Sequence, residues 1–130
     1  MVADVPQMDA RYAAAFAGWD VALAHTMAQA RQALAGARCD LVVIGAYFDD
    51  SQMFDLVRAI RGDEHLGDMP IVCVRAHPGY TLVAGRTLDL ALQALAVDAF
   101  IDLPDFGDAA AGNAALRACD ERLATGGAAG

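Results

Sequence analysis

The sequence of 130 residues contains no lysine, so all nine of its basic side chains are arginines. Seventeen acidic residues outnumber them, which gives a formal net charge of −8 and a sequence pI of about 4.5. Because a nucleic-acid-binding domain needs a dense basic surface, this composition argues against that class of protein. We therefore predict no nucleic-acid partner.

Cysteines and long apolar runs are also scarce. Cys39, Cys73 and Cys119 lie far apart with no C-x-x-C pair, which predicts free thiols in a reducing compartment rather than disulfides. No uncharged stretch reaches the roughly 18 apolar residues of a membrane span. Asp4 and Asp9 precede the first arginine, which is the wrong charge order for a secretory signal. We expect a cytoplasmic protein with no membrane partner.

Hydrophobic residues make up 57% of the chain, which excludes an intrinsically disordered protein. Thirty of them are alanines, so this share overstates the amount of bulky core. The length fits one domain. We predict a single domain over residues 1–125 and a flexible Gly/Ala tail over residues 126–130.

Apolar runs of strand length alternate with segments of helical period. Residues 41–44 and 71–74 are continuous aliphatic runs, typical of parallel strands that are buried on both faces. Weaker strands are predicted over residues 2–5, 19–24 and 99–103. These five β-then-α units indicate an α/β fold, an open doubly wound parallel sheet with helices on both faces.

Helical spacing fills the segments between the predicted strands. Ser51 is a candidate N-cap for a helix with Met53, Leu56, Val57 and Ile60 on its inner face. Thr26 is a candidate N-cap for a helix that ends at Gly36. Further helices are predicted over residues 9–17, 88–95 and 115–123.

The segment "CDLVVIGAYFDDSQMFDLVRAIRGDEHLGDMPIVCVRA", starting at Cys39, resembles the receiver domain of bacterial response regulators. It has that family's sequence of strand, loop, amphipathic helix, short loop ending in Met69-Pro70, and strand. "VDAFIDLP", residues 97–104, is similar to the family's fifth strand and the proline that follows it. The resemblance covers nearly the whole chain and implies a flavodoxin-like sheet with strand order 2-1-3-4-5.

Receivers transfer a phosphoryl group with residues at the carboxyl ends of the strands. They use an acid cluster, an acceptor Asp, a Ser or Thr, and a Lys before a proline, with Mg²⁺ bound by the acids. The matching positions here are Asp4, Gly45, Arg75 and Leu103. The resemblance therefore implies a degenerate phosphorylation site with no catalytic residue, metal or cofactor, in a signalling module that acts by binding another protein.

Other interpretations of these positions stay open. Gly45 could mark a sharp turn of the backbone, Arg75 a surface ion pair, and Leu103 an addition to the core. Alternatively, Arg75 could replace the missing cations by bridging Asp4 and the Asp49-Asp50 pair through its guanidinium group.

Two other functions also stay open. One is a small flavodoxin-like enzyme or ligand-binding domain that uses the cleft near Gly45, Asp49 and Arg75. The other is a receiver that is still phosphorylated, on Asp49 or Asp50. A thiol–imidazole pair of Cys73 with His77 is disfavoured because Cys73 lies inside an apolar strand.

The predicted interaction surface lies near the fifth strand. Phe100 stands three residues before Leu103, where the resemblance implies a switching aromatic side chain. The same face of receivers is often used for dimerisation or partner binding. We therefore predict a homodimer, with Arg86, Asp89 and Phe100 near the contact.

Overall fold

A computed structural model describes residues 1–36, 39–75 and 85–102 of the chain. The strands are β1 (Val2–Ala3), β2 (Leu23–Ala24), β3 (Val42–Gly45), β4 (Ile71–Arg75) and β5 (Ala99–Asp102). The helices are α1 (Asp9–Ala15), α2 (Met27–Gly36), α3 (Phe48–Ser51), α4 (Met53–Arg61) and α5 (Gly85–Ala94), and a 3-10 turn spans Pro6–Met8. Leu103, His77, Cys119, the predicted helix over residues 115–123 and the predicted tail lie outside the described residues.

The five strands form one sheet in the order β2-β1-β3-β4-β5, and every pair is parallel. The register aligns Val2 with Val43 and Val43 with Val72 across the centre of the sheet. The predicted α/β fold, with strand order 2-1-3-4-5, is therefore confirmed. This order places β1, β3 and β4 side by side, so their carboxyl ends meet at one edge.

The central strands are buried on both faces, as their continuous apolar sequences predict. Residues alternate between two core clusters because successive side chains of a strand point to opposite faces. Ile44 and Cys73 pack on the side of α2, α4 and α5, where Leu56 and Leu92 are fully buried. Val43, Val72 and Val74 pack on the other side, against Tyr12 and Phe16 from α1 and the residue that follows it.

The helix α4 has the predicted inner face, but the predicted N-cap is wrong. Met53, Leu56, Val57 and Ile60 are all buried. Gln52, not Ser51, is the N-cap residue, and no side chain caps the helix. Ser51 has a positive φ of 64°, whereas a capping residue needs an extended backbone to aim its oxygen at the first turn.

The start of α2 is as predicted. The Thr26 hydroxyl accepts a hydrogen bond from the Gln29 backbone amide at 3.1 Å. In return, the Gln29 side-chain oxygen accepts one from the His25 amide at 2.8 Å. This reciprocal pair satisfies amide groups that a helix start otherwise leaves without partners.

The two strands predicted near the N-terminus are shorter than expected. The predicted strand over residues 19–24 contains only Leu23–Ala24 as β2, and β1 covers only Val2–Ala3. Trp19 lies instead in the turn after α1, where its amide donates to the Phe16 carbonyl. The alternation of apolar and polar residues over Trp19-Asp20-Val21 is short, and so short a pattern occurs in edge strands and in turns alike.

Arg61, the last residue of α4, joins the amino ends of β4 and β5. Its guanidinium group donates to the carbonyls of Gly67, Met69 and Ala96 at 2.6–3.1 Å. It also pairs with the Asp98 carboxylate at 3.2 Å, and that carboxylate accepts a 2.8 Å hydrogen bond from the Ile71 amide. One side chain therefore fixes the loops that enter both strands.

Candidate functional site

Three of the four residues predicted at the degenerate site lie at the carboxyl edge of the sheet. Asp4 follows β1, Gly45 ends β3 and Arg75 ends β4. Because these strands are neighbours, the three residues come from adjacent positions along that edge. Leu103, the fourth, lies just beyond the described part of β5.

Asp4 is a buried carboxylate, with 6% of its surface exposed. One of its oxygens accepts a hydrogen bond of 2.6 Å from the hydroxyl of Tyr12, which is fully buried in α1. Its other oxygen accepts one of 2.7 Å from the Val5 backbone amide. The Asp4 side chain is thus held in place by two neutral donors, as a buried polar group requires.

Gly45 makes room for that carboxylate. A Cβ atom added to Gly45 would lie 1.9 Å from the Asp4 Cγ and about as close to both carboxylate oxygens. Gly18 is the one glycine of the described ranges that has a positive φ, so the Gly45 backbone does not itself require glycine. Gly45 ends β3 directly before a turn at residues 46–47, and the absence of a side chain there is needed for space.

Burial is the largest cause of the pKa shifts of Asp4 and Tyr12. Burial raises the pKa of Asp4 above its ordinary value, and the nearby Asp9 charge adds to the effect. The hydrogen bonds from Tyr12 and Val5 act in the opposite direction but do not cancel it. Burial, together with the adjacent Asp4 carboxylate, raises the pKa of Tyr12 well above its usual range. Tyr12 is therefore a neutral donor at physiological pH.

Asp49 and Asp50, inside the short element α3, have a non-helical backbone, and Asp49 contacts another element. Asp49, Asp50 and Ser51 all have φ between 42° and 64°, a left-handed conformation that costs energy in non-glycine residues. The Asp49 carboxylate accepts a 2.9 Å hydrogen bond from the Met27 amide, at the start of α2. Asp49 thus caps α2 from the distant α3, while Asp50 is exposed.

Arg75 is buried at the carboxyl end of β4, with 6% of its surface exposed. The interpretation of Arg75 as a surface ion pair is wrong in that respect. A bridge from Arg75 to Asp4 and the Asp49-Asp50 pair stays a prediction.

Sequence reasoning missed two contacts at this edge. His25, which follows β2, places its Nε2 atom 2.9–3.0 Å from both carboxylate oxygens of Asp9 in α1. Tyr12 reaches Asp4 across eight residues. The spacing of Met8, Tyr12 and Phe16 along one helical face was the available signal for Tyr12, since it places the ring toward the sheet.

Cys73 is an inert core thiol. It is fully buried in β4, and burial raises its pKa to about 12. Since the thiolate is the reactive form of cysteine, a group with this pKa is not a nucleophile at neutral pH.

The residues predicted at the partner surface lie on α5 and β5. Phe100 is half-buried in β5 and packs against the core cluster that contains Cys73 and Leu92. Arg86 and Asp89 lie in α5, and their side chains fall outside the described part of the structure.

The described ranges contain neither a cluster of metal ligands nor a membrane-spanning helix. Within them, no three His, Cys, Asp or Glu side chains come together as a set that could bind a metal ion. Nor is any helix in those ranges long and apolar enough to cross a membrane.

Comparison with protein-family models, with curated proteins and with solved structures finds no match to this chain.

Proposed function

We propose that this protein is a receiver-like signalling module that works without phosphorylation, by binding another protein in a two-component or phosphorelay-type system. The observation that carries this proposal is the overlap between the Asp4 carboxylate and the space beside Gly45. If position 45 corresponds to the acceptor of receivers, as the resemblance implies, the Asp4 carboxylate takes up the space that an acceptor side chain would need.

The physical argument concerns both charge and space. Phosphoryl transfer in receivers needs an accessible carboxylate, with a metal ion and a lysine to offset the developing negative charge. Here position 45 has no carboxylate, the chain has no lysine, and Asp4 is buried under Tyr12. Each of these features removes a requirement of the same reaction.

The first prediction is that a small phosphodonor leaves the protein unmodified. Incubation with acetyl phosphate and millimolar Mg²⁺ should leave the intact mass unchanged, beside a phosphorylatable receiver as the positive control. A stoichiometric gain of one phosphoryl group would contradict the proposal. Asp49→Asn and Asp50→Asn variants would then show which carboxylate accepts it.

The proposed interaction surface is the face formed by α5 and β5, with Arg86, Asp89 and Phe100. Among soluble homo-oligomers, dimers in which the same surface of two copies meets itself are the commonest. Phe100 is half-buried, so its ring has a surface that a partner could cover. We propose that the chain forms a homodimer through this face.

The second prediction is a dimer mass in light scattering. Phe100→Asp should shift the protein to monomers, because a charge in the contact would have to be buried without a partner. Leu23→Asp changes an exposed apolar residue on the opposite edge strand and should leave the dimer intact. A monomer mass for the wild type would remove the dimer, and a dimeric, folded Phe100→Asp would place the interface elsewhere.

A further inference from the structure

A large cavity lies at the amino-terminal edge of the sheet, opposite Asp4 and Gly45. Its volume is about 890 Å³, within the range of small-molecule sites, about 300–1,000 Å³. The starts of β1 and β3, the turn after α1 and the last turns of α2 form its walls. The residues that line it do not include Asp4, Gly45 or Arg75.

Trp19 supplies an exposed aromatic ring to this cavity. It has 46% of its surface exposed, although it is a large apolar side chain. Its ring stands edge-on to Phe16, with centroids 5.2 Å apart, and Phe16 in turn stacks with the buried Tyr12 ring. The indole is therefore supported from the core, and a ligand would lose little entropy by ordering it.

Among the described residues that line the cavity, the charged side chains are both acidic. Asp20 and Asp40 both line it, and both are exposed. The amino group of Met1 also lies there and donates a 2.9 Å hydrogen bond to the Leu41 carbonyl. Of the groups described at the cavity, the two carboxylates and the exposed indole are each complementary to a cation.

We propose that this cavity binds a small organic cation, a substituted ammonium or guanidinium group with an apolar body. Its charge is attracted by the Trp19 ring face and by the carboxylates of Asp20 and Asp40. Its apolar part contacts the aliphatic wall, which includes Val21 and Leu41. This site is separate from the carboxyl edge and does not depend on the function proposed above.

The test uses Trp19, the single tryptophan of the chain, as its own reporter. Benzyltrimethylammonium is titrated while tryptophan fluorescence is followed, with benzyl alcohol and benzoate as neutral and anionic controls at constant ionic strength. The cation should give a saturable change that the two controls do not give. Asp20→Asn and Asp40→Asn should each weaken binding about two- to fivefold. Asp68→Asn, at an exposed position outside the cavity, should have no effect.

Calorimetry with Trp19→Leu supplies a second measurement, since that variant lacks the fluorescent group. Removal of the indole should weaken binding of the cation by about fivefold or more. Equal binding of benzyl alcohol would show an apolar pocket with no preference for charge and would overturn the proposal. So would the absence of saturable binding by the wild type, or equal affinities of the Asp20→Asn, Asp40→Asn and Asp68→Asn variants.

Discussion

Asp4 and Asp98 are carboxylates at opposite edges of the same sheet, and they are stabilised in different ways. Asp4, at the carboxyl edge, is buried and accepts hydrogen bonds from a tyrosine hydroxyl and a backbone amide. Asp98, at the amino edge, has 38% of its side chain exposed and pairs with Arg61. The charge at Asp98 is offset by a cation, whereas burial of Asp4 raises its pKa.

The two edges of the sheet also differ in whether they leave space for a ligand. Doubly wound sheets ordinarily bind ligands at the carboxyl ends of their strands. In this protein the carboxyl ends of β1 and β3 are packed against each other through Asp4 and Gly45. The large cavity lies at the other edge, beside the starts of the same strands.

Among the changes that test the difference between the two edges, Arg61→Ala should have the largest effect on the free energy of unfolding. Loss of the guanidinium leaves the Gly67, Met69 and Ala96 carbonyls and the Asp98 carboxylate without that donor. We expect a loss of about 2–4 kcal/mol in the free energy of unfolding, because hydrogen bonds to charged groups are lost together. Urea denaturation measures it.

Arg58→Ala is the matched control for that experiment. Arg58 lies in the same helix, is mostly exposed and pairs with Asp55 at 3.5 Å. Its removal should change the free energy of unfolding by less than about 1 kcal/mol. Equal effects of the two substitutions would contradict the role given to Arg61.

At the carboxyl edge, a change of pH should alter the free energy of unfolding by a smaller amount, through the titration of Asp4. The folded-state pKa of Asp4 is raised above the ordinary 3.8, so the folded protein holds this proton more tightly than the unfolded chain does. The stability linked to Asp4 is fully present below about pH 3.8 and is lost as pH rises through the folded-state pKa. A tenfold difference in proton affinity between the folded and unfolded states corresponds to about 1.4 kcal/mol.

Asp4→Asn removes this titration and so measures it. The stability of Asp4→Asn relative to wild type should therefore increase as pH rises above about 4, in urea denaturation at several pH values. Tyr12→Phe should extend the pH range of the change, because the Tyr12 hydrogen bond lowers the Asp4 pKa. A difference between wild type and Asp4→Asn that is constant from pH 3 to pH 7 would contradict the raised pKa.

Much of the fold could be predicted from the sequence because it is encoded in short, local patterns. The sequences of β3 and β4 are almost continuously apolar because both faces of these strands are buried. The inner face of α4 follows from helical spacing alone. The short strands β1 and β2 carry too few residues for a period to be measured, and their predicted bounds were too long.

The sequence predicted which residues lie at the carboxyl ends of the strands, but not which side chains they contact. The residues at the ends of β1, β3 and β4, namely Asp4, Gly45 and Arg75, could be assigned from the sequence. The Asp4–Tyr12 and Asp9–His25 contacts could not be predicted, because they depend on how α1 lies across β1 and β2. Helical spacing places Tyr12 on the side of α1 that faces the sheet, but it does not identify Asp4 as the partner. The same holds for Asp49, whose partner Met27 is 22 residues away.

The central claim is that the Asp4 carboxylate occupies the space that a side chain at position 45 would need. A double-mutant cycle of Gly45→Ala and Asp4→Ala, measured by urea denaturation, tests it most directly. In the wild type, Gly45→Ala should cost about 2–4 kcal/mol, because the new methyl group displaces the carboxylate from its hydrogen bonds. In the Asp4→Ala background the same change should cost less than about 1 kcal/mol, or stabilise the protein. An equal cost of Gly45→Ala in both backgrounds would contradict the claim.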